Sequence, residues 1–150
     1  MENKALQIVL ADDDLEECEL FEAALKEIAI PVQLTAIHTG VHLLQWLNAN
    51  KIRLPDFLFP DLTMPPENGL ELLIKIKKHP DLRSLPVIII SHTCNPRIVD
   101  ALYENGALYY LQKPFMFQQQ VEIIRRLPAL PKEMTYVQPP KVDFFQAFRH

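Results

Sequence analysis

Asp12 and Asp13 stand together at the end of an apolar run, Asp61 follows a second such run, Ser91 a third and Lys113 a fourth. Three carboxylates brought to one place repel one another unless a cation joins them. Hard oxygen donors without softer ligands suit Mg²⁺, which keeps several waters and shares its shell with phosphate. Lys113 adds a compact positive charge and Ser91 a hydroxyl donor. Together these residues fit a phosphoryl group: a carboxylate accepts it, a metal ion and an ammonium hold its charge, and a hydroxyl senses it. Other chemistries lack their residues. No His or Cys cluster has zinc spacing, and neither a Gly-x-x-x-x-Gly-Lys loop nor a Gly-x-Gly-x-x-Gly fingerprint is present.

The elements that must position these residues are readable from hydrophobic periodicity. Ala5 to Ala11 is an apolar-rich run that stops at Asp12-Asp13-Asp14, the pattern of a buried parallel strand whose carboxyl end meets a polar site. Asp14, with Glu17 three residues on, predicts a helix N-terminus. Leu15, Cys18, Phe21, Leu25 and Ile28 then recur on one helical face, and Pro31 is expected to end the helix. Further strands are expected over Val32 to Ile37, Asp56 to Phe59, Pro86 to Ile90 and Leu108 to Leu111. Helices are expected over Val41 to Leu47, Leu70 to Lys78, Ile98 to Tyr103 and Gln118 to Leu127, with Gly106 as a C-cap. Trp46, with Leu43, Leu44 and Leu47, reads as core or as an exposed anchor. Five strand–helix pairs predict a doubly wound α/β sheet, because parallel strands need crossover helices. Ligands in such sheets bind outside the carboxyl ends of the strands. Asp12, Asp13, Asp61, Ser91 and Lys113 all fall there.

Composition narrows the class further. The 150 residues are 49% apolar and 23% charged, enough apolar content for a sizeable core in one domain with a short appendage. Fifteen Lys and Arg against 19 Asp and Glu give a net charge of -4, no electrostatic case for nucleic acid as main partner. Cys18 and Cys94 are too few for a disulfide framework; they read as a helix-face packing residue and a loop thiol. His38, His42, His79 and His150 lack ligand spacing and read as surface or structural. With no signal peptide and no apolar run near the roughly 20 residues of a membrane span, a cytoplasmic location away from membranes is expected.

The chain resembles the receiver domain of bacterial two-component response regulators over about residues 5 to 127. Asp12-Asp13 match the acidic pair after the family's first strand. Asp61-Leu62-Thr63-Met64-Pro65 matches the phosphoacceptor stretch, and Gly69 the glycine eight residues beyond. Ser91 matches the hydroxyl residue thirty positions on, Lys113-Pro114-Phe115 the lysine motif, and Tyr110 the aromatic three positions before it. The resemblance implies a flavodoxin-like sheet of order 2-1-3-4-5. It also implies that Asp61 takes a phosphoryl group from a phosphohistidine of a sensor histidine kinase or phosphotransfer protein. Mg²⁺ would be held by Asp12, Asp13, Asp61 and the main-chain carbonyl of Thr63, with Lys113 paired to the phosphoryl oxygens across a cis Lys113–Pro114 bond. Ser91 would swing to the phosphoryl group and Tyr110 turn inward, biasing a two-state surface around the fourth helix and fifth strand towards a downstream protein or a homodimer. Such a chain assists its own phosphoryl transfer and is not a turnover enzyme.

Three residues depart from the family pattern. Pro60 precedes Asp61 where an aliphatic residue is usual, and proline removes a backbone donor from a central strand. His92 sits where a small residue is favoured, and Thr63 replaces a common Asn. These departures keep open a pseudo-receiver that binds partners through the same face without phosphorylation. A Mg²⁺ phosphatase built on Asp61-Leu62-Thr63 is weaker, because that chemistry wants a second acid where Thr63 stands.

Residues 1–127 therefore read as a receiver domain and 128–150 as a Pro-rich extension too short for an output domain, so a stand-alone receiver is expected. Phe144, Phe145 and Phe148 are spaced for a short helix with an aromatic face, expected to pack on its own domain or on a second copy.

Overall fold

The computed structural model describes residues 5–64, 68–92, 95–112, 117–126, 138–141 and 144. Strands β1 (Leu6–Ala11), β2 (Val32–Ile37), β3 (Phe57–Pro60), β4 (Ile88–Ser91) and β5 (Tyr109–Gln112) alternate with helices α1 (Leu15–Lys26), α2 (Gly40–Ala49), α3 (Gly69–Lys78), α4 (Pro96–Glu104) and α5 (Phe117–Arg126). All the strand pairings are parallel. One ladder runs β2-β1-β3 and another β4-β5. Two bridges, Leu58 with Val87 and Asp61 with Ile90, join them into a sheet of order 2-1-3-4-5.

The weak β3–β4 seam has a cause in the sequence. Leu58 N donates to Pro86 O at 2.9 Å and Leu62 N to Ile90 O at 2.8 Å. In a parallel pair the rung between them would run from residue 60 to residue 88. Residue 60 is proline and has no N–H to give. The expected lost donor thus falls on the β4 side of β3, while Asp61 N still donates to Ala11 O at 2.8 Å on the β1 side.

Strand alternation sorts the core into two layers. Ile8, Leu10, Phe57, Phe59, Ile88, Ile90 and Leu111 face the layer completed by α1 and α5, where Phe21 packs edge-on to Phe59 at 5.1 Å. Val9, Ala11, Leu58, Val87, Ile89 and Tyr110 face the layer completed by α2, α3 and α4. Leu43 and Leu47 are buried there, with Leu44 and Trp46 half-buried against them. Burial on both faces explains why the central strands read as continuous apolar runs.

Helix starts follow side-chain caps. Asp14, Thr39, Asn68 and Asn95 each accept from a backbone N–H of the first turn, and Pro96 follows Asn95 where its missing donor costs nothing. Gly106, at φ 96°, follows the α4 C-cap Asn105 in the left-handed region open to glycine. Two expectations need correction. Helix α1 ends at Lys26, well before Pro31, because Glu27 N–H turns back to Ala24 and Leu25 carbonyls; Ile28 is buried from the turn that follows. Leu15 is 62% exposed, since the first turn of α1 projects past the core that covers Cys18, Phe21 and Leu25. Elsewhere boundaries move by one or two residues: the strand expected from Pro86 begins at Ile88, and α4 begins at Pro96. Among the described residues no helix is long and apolar enough to cross a membrane.

Candidate functional site

Asp12 is held at the carboxyl end of β1 from several directions. Its N–H donates to Ile37 O at 3.0 Å, extending the β1–β2 pairing by one residue. Its Oδ1 accepts from Asp14 N at 2.9 Å, a turn that leads directly into the Asp14 cap of α1. Its carbonyl oxygen accepts from His38 Nδ1 at 2.9 Å and from the Cys18 thiol at 3.6 Å. A carbonyl offers no proton, so Nδ1 of His38 is the protonated nitrogen. His38 thus does structural work that its lack of ligand spacing did not reveal. The signal was register: Ala11 pairs with Ile37, so the next residue of β2 must sit beside Asp12.

Asp61 is placed by β3. Its amide is tied to Ala11 on one side, and it bridges Ile90 on the other. Asp61 Oδ1 accepts from both the amide and the hydroxyl of Thr63, at 3.1 and 3.3 Å. Gly69 permits the approach of α3. A Cβ at that position would lie 2.9 Å from Leu62 Cα and 3.2 Å from Asp61 O, and Gly69 N donates to Leu62 O at 2.7 Å. The glycine noted by spacing alone is therefore required by contact with the main chain of the acidic residue itself.

Asp12, Asp13 and Asp61 each bring a carboxylate oxygen to within 4.8 Å of the others. Asp12 is 1% and Asp61 6% exposed, while Asp13 opens to solvent. Two buried carboxylates beside a third are electrostatically costly without a cation. All-oxygen donors with one face open fit a hard divalent ion that keeps part of its water shell.

Ser91, 1% exposed, ends β4 in register with Gln112, one residue past the Asp61–Ile90 bridge. Tyr110 is wholly buried in the layer that holds Leu58, Leu62, Met64 and Leu102. The resemblance has this side chain arrive inside only on phosphorylation; here it is already core. His92 is exposed next to Ser91. Lys113, Pro114 and Phe115 lie outside the described residues, as do Pro65 and Cys94.

An order 2-1-3-4-5 sheet with three acids beyond β1 and β3 defines a class of signalling domain. The family model for the response regulator receiver domain matches residues 8–125, and the chain belongs to that family, which acts in two-component signalling. It is 31% identical over 111 residues to response regulator Rcp1 of Synechocystis sp., covering 71% of this chain and 75% of the relative. It is 33% identical over 126 residues to the DNA-binding transcriptional regulator NtrC of a Bradyrhizobium species, covering 84% of this chain but 25% of that protein. The chain thus spans about a quarter of the length of that relative. Two solved structures agree. The phosphorylated cyanobacterial phytochrome response regulator RcpA superposes with a TM-score of 0.74 at 25% identity, covering 83% of this chain and 91% of that one. The Mn²⁺-bound form of Rcp1 gives 0.72 at 25% identity, covering 89% and 98%.

Proposed function

We propose that Asp61 accepts a phosphoryl group from a phosphohistidine of a sensor histidine kinase or phosphotransfer protein. The observation that carries this is the convergence of Asp12, Asp13 and Asp61 oxygens within 4.8 Å at the carboxyl ends of adjacent strands. Asp12, Asp13, Asp61 and the Thr63 carbonyl would hold Mg²⁺. A divalent ion there supplies positive charge that offsets both the clustered carboxylates and the phosphoryl oxygens. The rest falls to the chain's own residues. A carboxylate oxygen of Asp61 attacks phosphorus in line, a P–O bond forms, and the P–N bond to the donor imidazole breaks. Thr63 fixes the carboxylate's rotation through Oδ1, so its reach is set before the donor arrives. Lys113 pairs with the transferred oxygens and Ser91 offers its hydroxyl. Tyr110, already buried, shares the β4–β5 ladder with Ser91, and through that ladder the change reaches the α4–β5 region and a downstream protein. The chain acts as a phosphoacceptor, not a turnover enzyme.

Pro60 favours the rival reading, an interaction module without phosphorylation, only if it misaims Asp61. The lost donor lies on the β4 side, and Asp61 keeps its bond to Ala11 on the side that carries Asp12. That supports the phosphoacceptor. Incubation with Mg²⁺ and acetyl phosphate, followed by intact mass measurement, is expected to give one phosphoryl adduct that Asp61→Asn abolishes. No adduct, or one that survives the substitution, leaves the interaction module standing.

The output follows from the same reading. Rcp1, which this chain resembles over most of its length, is a response regulator. Signalling here runs through protein contact, with no nucleic acid or membrane engaged by this domain.

A further inference from the structure

The C-terminal segment supplies contacts that the phosphoryl site does not use. Gln138 Nε2 donates to Tyr103 O and Ala107 O, both at 2.6 Å, and so covers the carboxyl end of α4. The Tyr103 hydroxyl donates to Pro139 O at 2.9 Å. Lys141 Nζ meets Asp100 Oδ1 at 3.0 Å, one helical turn back along α4. Phe144 then packs edge-on to the Tyr103 ring, centroids 5.1 Å apart at 82°, and is 1% exposed. Gln138, Pro139, Lys141 and Phe144 thus meet α4 through backbone, charge and ring in turn.

These contacts differ in weight. Lys141 and Asp100 are both about half exposed (57% and 50%), so their attraction is screened and adds little, although Asp100 holds the Lys141 ammonium charged above its usual pKa by hydrogen bond and charge. The three hydrogen bonds replace bonds to water. Phe144 is therefore the anchor, set against the conformational freedom lost by ordering the segment. That ring fastens the segment to the core layer that also holds Leu102 and Tyr110.

We infer that the Asp100–Tyr103 side of α4 is a docking surface for a segment carrying a cation and, three residues later, an aromatic ring, and that the chain occupies it in cis with its own Lys141 and Phe144. The chemistry of the surface defines any competitor. A partner must offer a ring to the Tyr103 side chain, a cation to Asp100, and a donor to the carbonyls of Tyr103 and Ala107. The chain's own strap is the resident occupant, so a partner gains access by displacing it.

The test uses the full chain and does not involve phosphorylation, so its outcome is separate from the fate of Asp61. A fluorescently labelled peptide of residues 138–148 is titrated, by anisotropy, against wild type and Phe144→Ala. The variant is expected to bind the peptide at least tenfold more tightly, because its own strap no longer fills the site, while Phe144→Ala combined with Tyr103→Ala loses that gain, because the ring that meets Phe144 is gone. Circular dichroism of each variant establishes that it is folded, and Phe144→Leu serves as a milder release should Phe144→Ala unfold. Equal binding to wild type and folded variants, or binding to none of them, overturns the surface. Light scattering that shows wild type as a dimer, dissociated by Phe144→Ala, overturns the cis occupant by assigning the strap to a second copy.

Discussion

Thr63 donates from both its amide and its hydroxyl to one oxygen of Asp61, at 3.1 and 3.3 Å. The amide bond belongs to the turn and survives any substitution other than proline, whereas the hydroxyl bond is specific to Thr or Ser. Thr63→Val keeps the shape and removes that donor. The carboxylate then samples more orientations, and loss of alignment in a displacement reaction lowers its rate. Phosphorylation by acetyl phosphate is expected to slow about 3–10-fold in Thr63→Val and to recover in Thr63→Ser. An unchanged rate in the valine variant would show that the amide alone orients Asp61.

The acidic cluster makes a prediction of opposite sign with and without metal. Asp12→Asn removes one buried charge from three crowded carboxylates and keeps an Oδ1 able to accept from Asp14 N. In chelator the variant should be more stable than wild type to urea, by about 1–3.5 kcal/mol, the span for like charges at this range between bulk water and a protein surface. In Mg²⁺ the order should reverse, because wild type gains binding free energy that the variant forfeits. Parallel urea titrations in chelator and in Mg²⁺ test it. Identical ranking in both would count against a divalent site.

Pro60 makes a third. Pro60→Val returns an amide to the one position where the β3–β4 rung is missing, between the Leu58–Pro86 and Leu62–Ile90 bonds. A new backbone bond is worth roughly 0.5–1.5 kcal/mol. Removing proline loosens the unfolded chain and takes back about 0.4–1 kcal/mol. Net stability should therefore change little, while the amide introduced at position 60 becomes strongly protected from exchange with solvent. Rapid exchange of that amide would show that β3 and β4 are held apart by something other than proline.

The order of elements, the two-sided burial of the sheet and the acids at its carboxyl edge were all legible, because apolar period and strand-end position are local properties of sequence. Register effects were not. That His38 would hold the Asp12 carbonyl required knowing that Ala11 pairs with Ile37. Leu15 matched the helical face of Cys18 and Phe21 yet lies past the edge of the core, which periodicity cannot see. Lys77 is one of three lysines in the last turn of α3, and nothing in that local pattern shows that it alone of the three is half-buried. Phe144 was one of three tail aromatics of equal promise. Only tertiary packing showed that it meets Tyr103; Phe145 and Phe148 lie outside the described residues.

Gly69 ties α3 to the acidic site through sterics. Because an added Cβ would meet Leu62 Cα at 2.9 Å, with Asp61 O at 3.2 Å, Gly69→Ala must move main chain rather than a flexible side chain. Overpacking of this kind costs about 1–3 kcal/mol. The displaced atoms belong to Asp61 and its neighbour, so the phosphorylation rate should fall as well, by more than stability alone predicts at temperatures where the variant is fully folded. Lower stability with an unaltered rate would mean that the shift is absorbed in α3.

Lys77 predicts how stability varies with pH. Its ammonium reaches inward from α3 to donate to Leu85 O at 2.8 Å and Arg83 O at 3.1 Å, beside Gly106. Burial lowers its pKa from 10.5 to about 8. The unfolded chain therefore binds the proton more tightly than the native one between those values. Stability attributable to this group is present above about 10.5 and is lost as pH falls through about 8, where a charged lysine must be kept partly desolvated. Lys77→Met keeps the stem that packs under Gly106 and removes the charge. Other groups titrate in the same range, so the informative quantity is the difference between variant and wild type. Denaturant midpoints measured from pH 7 to pH 10.5 should show the methionine variant gaining most at pH 7 relative to wild type, with the difference shrinking above pH 8. A difference that stays flat across that range would show the two carbonyls to compensate fully for the lost water.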